Sequence, residues 1–235
     1  MTDRAGGRPV DVKICGLTRI EDAEVAAASG AVYGGAILSP GFARSVDPAR
    51  ARALRLDGGV RLVGVVVDET PAEAARLGRE AGADVLQLHG DEPPAALRSL
   101  RDAGPWRLWK AVRPRHAADI LSAAERYGEL ADALLVDGWH PGRGGGVGVR
   151  FPWALLEEVR RSLPPGLEVV AAGGLTPYNV EVAVARLRPD VVDVSSGVES
   201  RPGEKDPELV EAFVAAVRRA AAGATMDPDR GGEGS

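Results

Sequence analysis

Short apolar runs with a period of two alternate along this chain with amphipathic segments whose apolar positions recur at helical spacing. The runs predict strands at Val10–Cys15, Val32–Leu38, Arg61–Val67, Asp84–Leu88, Arg107–Val112, Ala133–Val136, Glu168–Ala172 and Val191–Val194. The segments between them predict helices at Ile20–Ala28, Pro48–Leu56, Pro71–Ala81, Pro93–Asp102, Ala117–Arg126, Pro152–Leu163, Pro177–Leu187 and Pro207–Ala222. Asp47-Pro48, Thr70-Pro71 and Thr176-Pro177 read as helix starts, a capping side chain followed by proline at the first helical position.

Eight strand–helix units in 235 residues predict an α/β fold, a single-domain (β/α)8 TIM barrel. An open doubly wound sheet is the alternative, but the first strand lacks the Gly-x-Gly-x-x-Gly turn that would support it. The barrel is expected over residues 10–222. Residues 1–9 and the Gly- and Asp-rich tail 223–235 carry no periodicity and are expected to be disordered.

Composition narrows the class. Hydrophobic residues make up 45% of the chain and aromatics only 4%, so the core must be mostly Val, Leu, Ala and Ile, as in a parallel sheet covered by helices. A formal net charge of -5 gives no basic footprint for nucleic acid. One cysteine rules out a disulfide framework and fits a reducing compartment. No apolar run approaches a membrane span, and the N-terminus lacks a signal-peptide core. A cytoplasmic protein with no membrane or nucleic-acid partner is expected.

In a barrel of this kind the chemistry sits at the carboxyl ends of the strands. The unusual residues fall there: Cys15 on strand 1, Gln87 and His89 on strand 4, Asp137 on strand 6, Gly173-Gly174 on strand 7 and Ser195-Ser196-Gly197 on strand 8. Loops after strands 7 and 8 often bind phosphate, because glycines let backbone N–H groups approach the oxygens and serines add donors. Two such loops in the expected pair favour phosphate over two ordinary turns. A third glycine cluster, residues 142–148, follows strand 6 and reads as a mobile loop that closes over a substrate or as a passive connection.

Asp137 ends a hydrophobic strand, a position that suits a general acid and equally a turn residue. Cys15 shares a strand face with Lys13, whose ammonium would favour a thiolate; taken alone, a single cysteine reads more simply as a packing thiol. His89 is a rim residue with an ordinary hydrogen-bonding reading. Arg44 follows strand 2 and either pairs an anionic substrate group or is one surface arginine among many. His116 and His140 read as surface loop residues, and no spacing of His, Cys or acidic residues makes a metal site.

Together these residues resemble the phosphoribosylanthranilate isomerase family of tryptophan biosynthesis, from about Val10 to Ala220. The resemblance is carried in order by Lys-Ile-Cys-Gly-Leu-Thr (13–18), Leu-Gln-Leu-His-Gly-Asp-Glu (86–92), Leu-Leu-Val-Asp (134–137), Ala-Gly-Gly-Leu-Thr-Pro-x-Asn-Val (172–180), Asp-Val-Ser-Ser-Gly-Val-Glu (193–199) and Pro-Gly-x-Lys-Asp (202–206). It implies an Amadori rearrangement of a phosphosugar, with Asp137 as general acid and Cys15 as general base. It further implies that Arg44 holds the anthranilate carboxylate, with Gln87 and His89 also in the substrate site. Phosphate binding would fall to Gly173, Gly174, Asp193, Ser195, Ser196 and Gly197. No cofactor or metal is implied, and the protein is expected to be a monomer or homodimer.

Two departures from the family pattern are Phe42-Ala43 before Arg44 and Val147 within the strand-6 loop, where the family carries Ser-Pro and a hydroxyl residue. The related histidine-pathway isomerases resemble this barrel but use Asp where this chain has Cys15. They also bind a second phosphate in the first half, and Val65-Val66-Val67-Asp68 offers no Gly-Gly loop for it. A non-catalytic sugar-phosphate-binding barrel is the rival outside enzymes, opposed by the presence of both Cys15 and Asp137.

Overall fold

The structure, a computed structural model, describes residues 9–55, 59–138 and 153–224. In chain order it comprises β1 (Asp11–Cys15), α1 (Ile20–Ser29), β2 (Tyr33–Ile37), α2 (Pro48–Ala53), β3 (Arg61–Val66) and α3 (Pro71–Ala81). There follow β4 (Val85–Leu88), α4 (Pro94–Ala103), β5 (Arg107–Val112), α5 (Ala117–Tyr127), β6 (Ala133–Val136) and α6 (Trp153–Val159). The last units are β7 (Glu168–Ala171), α7 (Val180–Leu187), β8 (Val191–Val194), a short hairpin β9 (Glu199–Arg201) and β10 (Glu204–Lys205), and α8 (Pro207–Ala224). Strands β1 to β8 pair in parallel with their sequence neighbours, and β8 returns to β1, so the sheet closes. The barrel expected from the pattern is therefore present, and the open sheet is excluded.

The period of two in each strand divides the apolar residues between two cores. Val12, Ile14, Leu62, Leu86, Leu108, Leu134, Val169 and Val192 point outward beneath the helices. Tyr33, Val63, Val65, Val85, Trp109, Leu135, Val170 and Val191 point inward and fill the barrel. There Tyr33 and Trp109 meet edge to face at 4.9 Å, a packing worth about 0.5–1.5 kcal/mol beyond the area it buries.

The amino-terminal end of the barrel is tied by one device used three times. Asp84, Asp132 and Asp190 each precede an even-numbered strand and accept the backbone N–H of Leu62, Leu108 and Val169 on the preceding odd-numbered strand, at 2.9, 2.7 and 2.9 Å. Each carboxylate also pairs with an arginine, Arg55, Arg101 and Arg160 respectively. This end is a stabilising clamp and leaves the opposite end free for chemistry.

Several boundaries differ from the pattern. Asp47 and Thr70 cap α2 and α3 as expected, accepting from the backbone of Arg50 and Glu73. Thr176-Pro177 does not start α7; Asn179 occupies its N-cap but makes no side-chain capping bond, because its side chain braces the preceding loop. Pro93 is the N-cap of α4 rather than its first residue. α2 ends at Ala53, short of the expected boundary. The β9–β10 hairpin was not expected, since its strands of three and two residues are too short to show a period. The terminal segments 1–8 and 225–235, the glycine cluster 142–148 with Val147, and His140 lie outside the described residues.

Candidate active site

All the sequence-selected residues within the described parts gather at the carboxyl ends of the strands. Cys15 ends β1 and faces the barrel interior with Lys13, since Val12 and Ile14 face outward. Lys13 is wholly buried and donates to Asp193 Oδ1 at 2.9 Å. Gly35 on the neighbouring β2 makes room for this group: a Cβ there would lie 2.9 Å from Cys15 Sγ and 3.1 Å from Lys13 Nζ. Only glycine leaves space for an ammonium and a thiol side by side.

Two relationships define this cluster. Asp193, expected in the phosphate set, has its carboxylate paired with the Lys13 ammonium. Cys15 is held towards its thiol form. Burial pushes its pKa up, and although Lys13 pulls the other way, burial and the nearby Asp193 prevail, leaving it above its ordinary value of 9.0.

Asp137 follows β6 and is 7% exposed. Its Oδ1 accepts the backbone N–H of Gly138 at 2.8 Å, and its Oδ2 lies 3.6 Å from His89 Nε2. His89 Nδ1 in turn meets Gln87 Nε2 at 2.8 Å. Gln87, His89 and Asp137 thus form a line from the barrel interior to its rim, with Gln87 almost fully buried and its Oε1 without a hydrogen bond among the described residues. Gln87 supports His89 from below.

The loop carrying His89 is braced from outside the barrel. Glu92 accepts the backbone N–H groups of Asp68 and Gly90 and pairs with the buried Lys110 at 2.9 Å. Burial alone would raise the Glu92 pKa; Lys110 and backbone donors, that of Asp68 among them, hold it below the usual carboxylate range. Arg113 adds a bond to the His89 carbonyl at 2.8 Å. Sequence reasoning missed Glu92, Lys110 and Arg113 as site supports, although Glu92 closes the Gln-Leu-His-Gly-Asp-Glu motif.

The β7 and β8 loops interlock. Gly173 adopts a φ of 89°, and a Cβ there would meet Gly138 N at 2.5 Å and Asp137 Oδ1 at 2.8 Å, so a side chain is excluded on both counts. The Gly197 α-carbon abuts the Leu175 carbonyl so closely that any Cβ would collide with it. Asn179 locks the β7 loop by donating to the Gly174 carbonyl and accepting from Thr176 N–H, at 2.9 and 2.8 Å. Ser196 and Gly197 open a single 3-10 turn, Ser196–Val198. The Ser195 hydroxyl lies 3.1 Å from where a Gly16 Cβ would stand.

Arg44, expected to meet a substrate carboxylate, makes a two-pronged ion pair with Glu199 at the start of β9, at 2.8 and 2.5 Å. Its stem crosses Gly16, with Cδ 2.5 Å from that residue's absent Cβ, so Arg44 lies against the residue that follows Cys15. Lys205 on β10 donates to the same Glu199 at 2.7 Å and to the Ser195 carbonyl at 3.2 Å. His116 is an exposed residue at the N-cap of α5, as expected. Among the described residues no group of three or more His, Cys, Asp or Glu could hold a metal ion, and no helix is long and apolar enough to cross a membrane.

A model of the N-(5'-phosphoribosyl)anthranilate isomerase family matches residues 12–216, nearly the whole barrel. The chain belongs to this family. An N-(5'-phosphoribosyl)anthranilate isomerase of Rubrobacter xylanophilus is 44% identical over 209 residues, covering 88% of this chain and 98% of that protein. The crystal structure of phosphoribosyl anthranilate isomerase from Thermus thermophilus superposes with a TM-score of 0.79 at 38% identity, over 89% of this chain and 99% of the other. A third phosphoribosyl anthranilate isomerase, solved in complex with reduced 1-(o-carboxyphenylamino)-1-deoxyribulose 5-phosphate, gives 0.77 at 32% identity over the same shares. Membership of the phosphoribosylanthranilate isomerases makes the chain an aldose–ketose isomerase of tryptophan biosynthesis.

Proposed function

We propose that this isomerase converts N-(5'-phosphoribosyl)anthranilate to 1-(2-carboxyphenylamino)-1-deoxyribulose 5-phosphate with Asp137 as general acid and Cys15 as general base. The observation that carries this assignment is the order of the barrel. The β7 and β8 loops lie between β6, which bears Asp137, and β1, which bears Cys15. Gly173 touches Asp137 on one side and Ser195 adjoins Gly16 on the other. A phosphosugar whose phosphate sits on Gly173, Gly174, Ser195, Ser196 and Gly197 therefore has its furanose ring between an acid and a base.

The chemistry follows from that placement. Asp137 gives its proton to the ring oxygen as the C1–O bond breaks, and the anilino nitrogen supplies the electron pair that makes the C1=N Schiff base. The thiolate form of Cys15, which the Lys13 ammonium favours against burial, takes the C2 proton, and the C–H electrons pass into a C1=C2 bond, neutralising the nitrogen. The resulting enolamine loses its enol proton and gains one at C1 to give the ketone. Acid and base are each worth about 10²–10⁴-fold. The Lys13–Asp193 pair beside Cys15 keeps a cation in the site, and Arg44 is the group that pairs with the anthranilate carboxylate in this reading.

The test is conversion of phosphoribosylanthranilate generated in situ, followed by loss of anthranilate-type fluorescence. Wild type should convert it, and Cys15→Ser and Asp137→Asn should each lose most activity. Equal rates in all three would overturn the assignment.

A further inference from the structure

The β9–β10 hairpin contributes nothing to the barrel wall, yet it carries a buried salt-bridge triad at the barrel mouth. Arg44 and Lys205 share one carboxylate, Glu199, whose side chain is 4% exposed, while the Lys205 side chain is fully buried. Arg44 meets Glu199 through Nε and Nη2, and no hydrogen bond among the described residues engages its Nη1. Burying three ions costs free energy that a barrel could avoid with apolar residues, so the arrangement asks for a reason beyond stability.

The charge count supplies one. Arg44 and Glu199 alone would be neutral, and an anion approaching the guanidinium would feel the carboxylate behind it almost as strongly. Lys205 offsets that carboxylate at Oε1, the oxygen that Arg44 Nε also meets, and leaves the triad with a net charge of +1. Its second bond, to the Ser195 carbonyl, fastens the hairpin to a phosphate loop. Burial draws the Lys205 pKa below its usual range against the pull of Glu199, so the ammonium depends on this carboxylate to stay charged.

We propose that Lys205 is a positioning residue that acts through Glu199: it cancels the Glu199 charge so that Arg44, held rigidly across Gly16 beside Cys15, keeps a full positive charge for the carboxylate of the substrate. This rests on the reading of Arg44 as the carboxylate-binding group. It assigns the hairpin a part in substrate recognition rather than in folding alone. A rigid guanidinium with a neutralised counter-ion selects for a carboxylate without paying to order a free arginine on binding.

The test uses two probes, reduced 1-(o-carboxyphenylamino)-1-deoxyribulose 5-phosphate and the same compound without its carboxylate, with dissociation constants measured by titration calorimetry. In Lys205→Met the carboxylated probe should weaken by about tenfold, and the carboxylate-free probe by less than about twofold. Lys205→Arg should restore the preference. The double variant Glu199→Gln/Lys205→Met removes one charge of each sign, returns the site to +1 and should also recover it. If Lys205→Met weakens both probes equally, the hairpin is merely structural and the inference is wrong; an unchanged preference overturns it as well. Should Lys205→Met fail to fold by circular dichroism, the double variant decides, since loss of preference there contradicts the charge argument. Arg44→Met separates the two levels: if it leaves the preference intact, the reading of Arg44 itself fails, whereas if it abolishes the preference and Lys205→Met does not, only the role of Lys205 fails.

Discussion

The Lys13 ammonium and the Asp193 carboxylate meet at 2.9 Å across the β1–β8 seam, at paired register positions and on the same strand face as the lone thiol. Lys13 thus lies beside both the thiol and Asp193, and Asp193 accepts a direct hydrogen bond from its ammonium. The thiol is left with burial as its dominant influence, which raises its pKa above 9.0.

Alkylation of that thiol reads the balance directly, since Cys15 is the only cysteine. In the unliganded protein the rate with iodoacetamide should be low at pH 7 and still climbing beyond pH 9, because the thiolate is the reactive form. Lys13→Met should move the profile further towards alkaline pH. A rate already at its plateau near neutrality would show that the ammonium outweighs burial.

Gly173→Ala places a methyl group against Asp137 and Gly138 at a backbone φ of 89°. Asp137 must shift, so on the proposed mechanism kcat should fall by about 10²-fold or more, with a smaller effect on thermal stability. Stopped and continuous fluorescence assays of the rearrangement measure the first, and a melting curve the second. Retention of wild-type kcat would mean that the β7 loop does not position Asp137.

Asp132→Ala removes the carboxylate that holds Leu108 N–H and Arg101 at the amino-terminal end of the barrel. A lost hydrogen bond to a charged group predicts a destabilisation of about 1.5–3 kcal/mol in urea unfolding. The kcat should be unchanged, because the clamp lies at the end away from Asp137 and Cys15. A parallel fall in kcat would show that the two ends are coupled.

Glu92 sets an acid limit on stability. Its pKa is depressed in the folded protein, so its contribution is complete above the ordinary value of 4.5 and is lost as pH falls through the lower folded value. Melting temperature should therefore drop as pH is lowered below about 4.5, and Glu92→Gln should flatten that drop while lowering stability at pH 7. An identical acid profile in wild type and variant would assign the loss to other carboxylates.

Lys13, Cys15, Gln87, His89 and Asp137 were legible as a cluster because parallel strands in sequence order deliver their carboxyl ends to one rim. Arg44 was legible as a candidate cation, but its partner was not. Glu199 lies 155 residues away in the sequence and reaches it through a hairpin of three- and two-residue strands that carries no pattern. Lys110 was hidden for a related reason: on a strand read as core it is a charge among apolar residues, and only the Glu92 loop folding over it explains why it is tolerated.

The alternation of apolar residues determined the eight strand–helix units and which face of each strand is buried, since local periodicity dictates that face; closure of the sheet into a barrel is decided by the β8–β1 pairing. The ordered motifs determined the family. What only the tertiary structure decided is how the charges are shared. Lys13 goes to Asp193 rather than wholly to Cys15, and Arg44 and Lys205 converge on Glu199. Ion pairing in a buried mouth depends on distances of a few ångströms between residues far apart in sequence, and no local pattern encodes those distances.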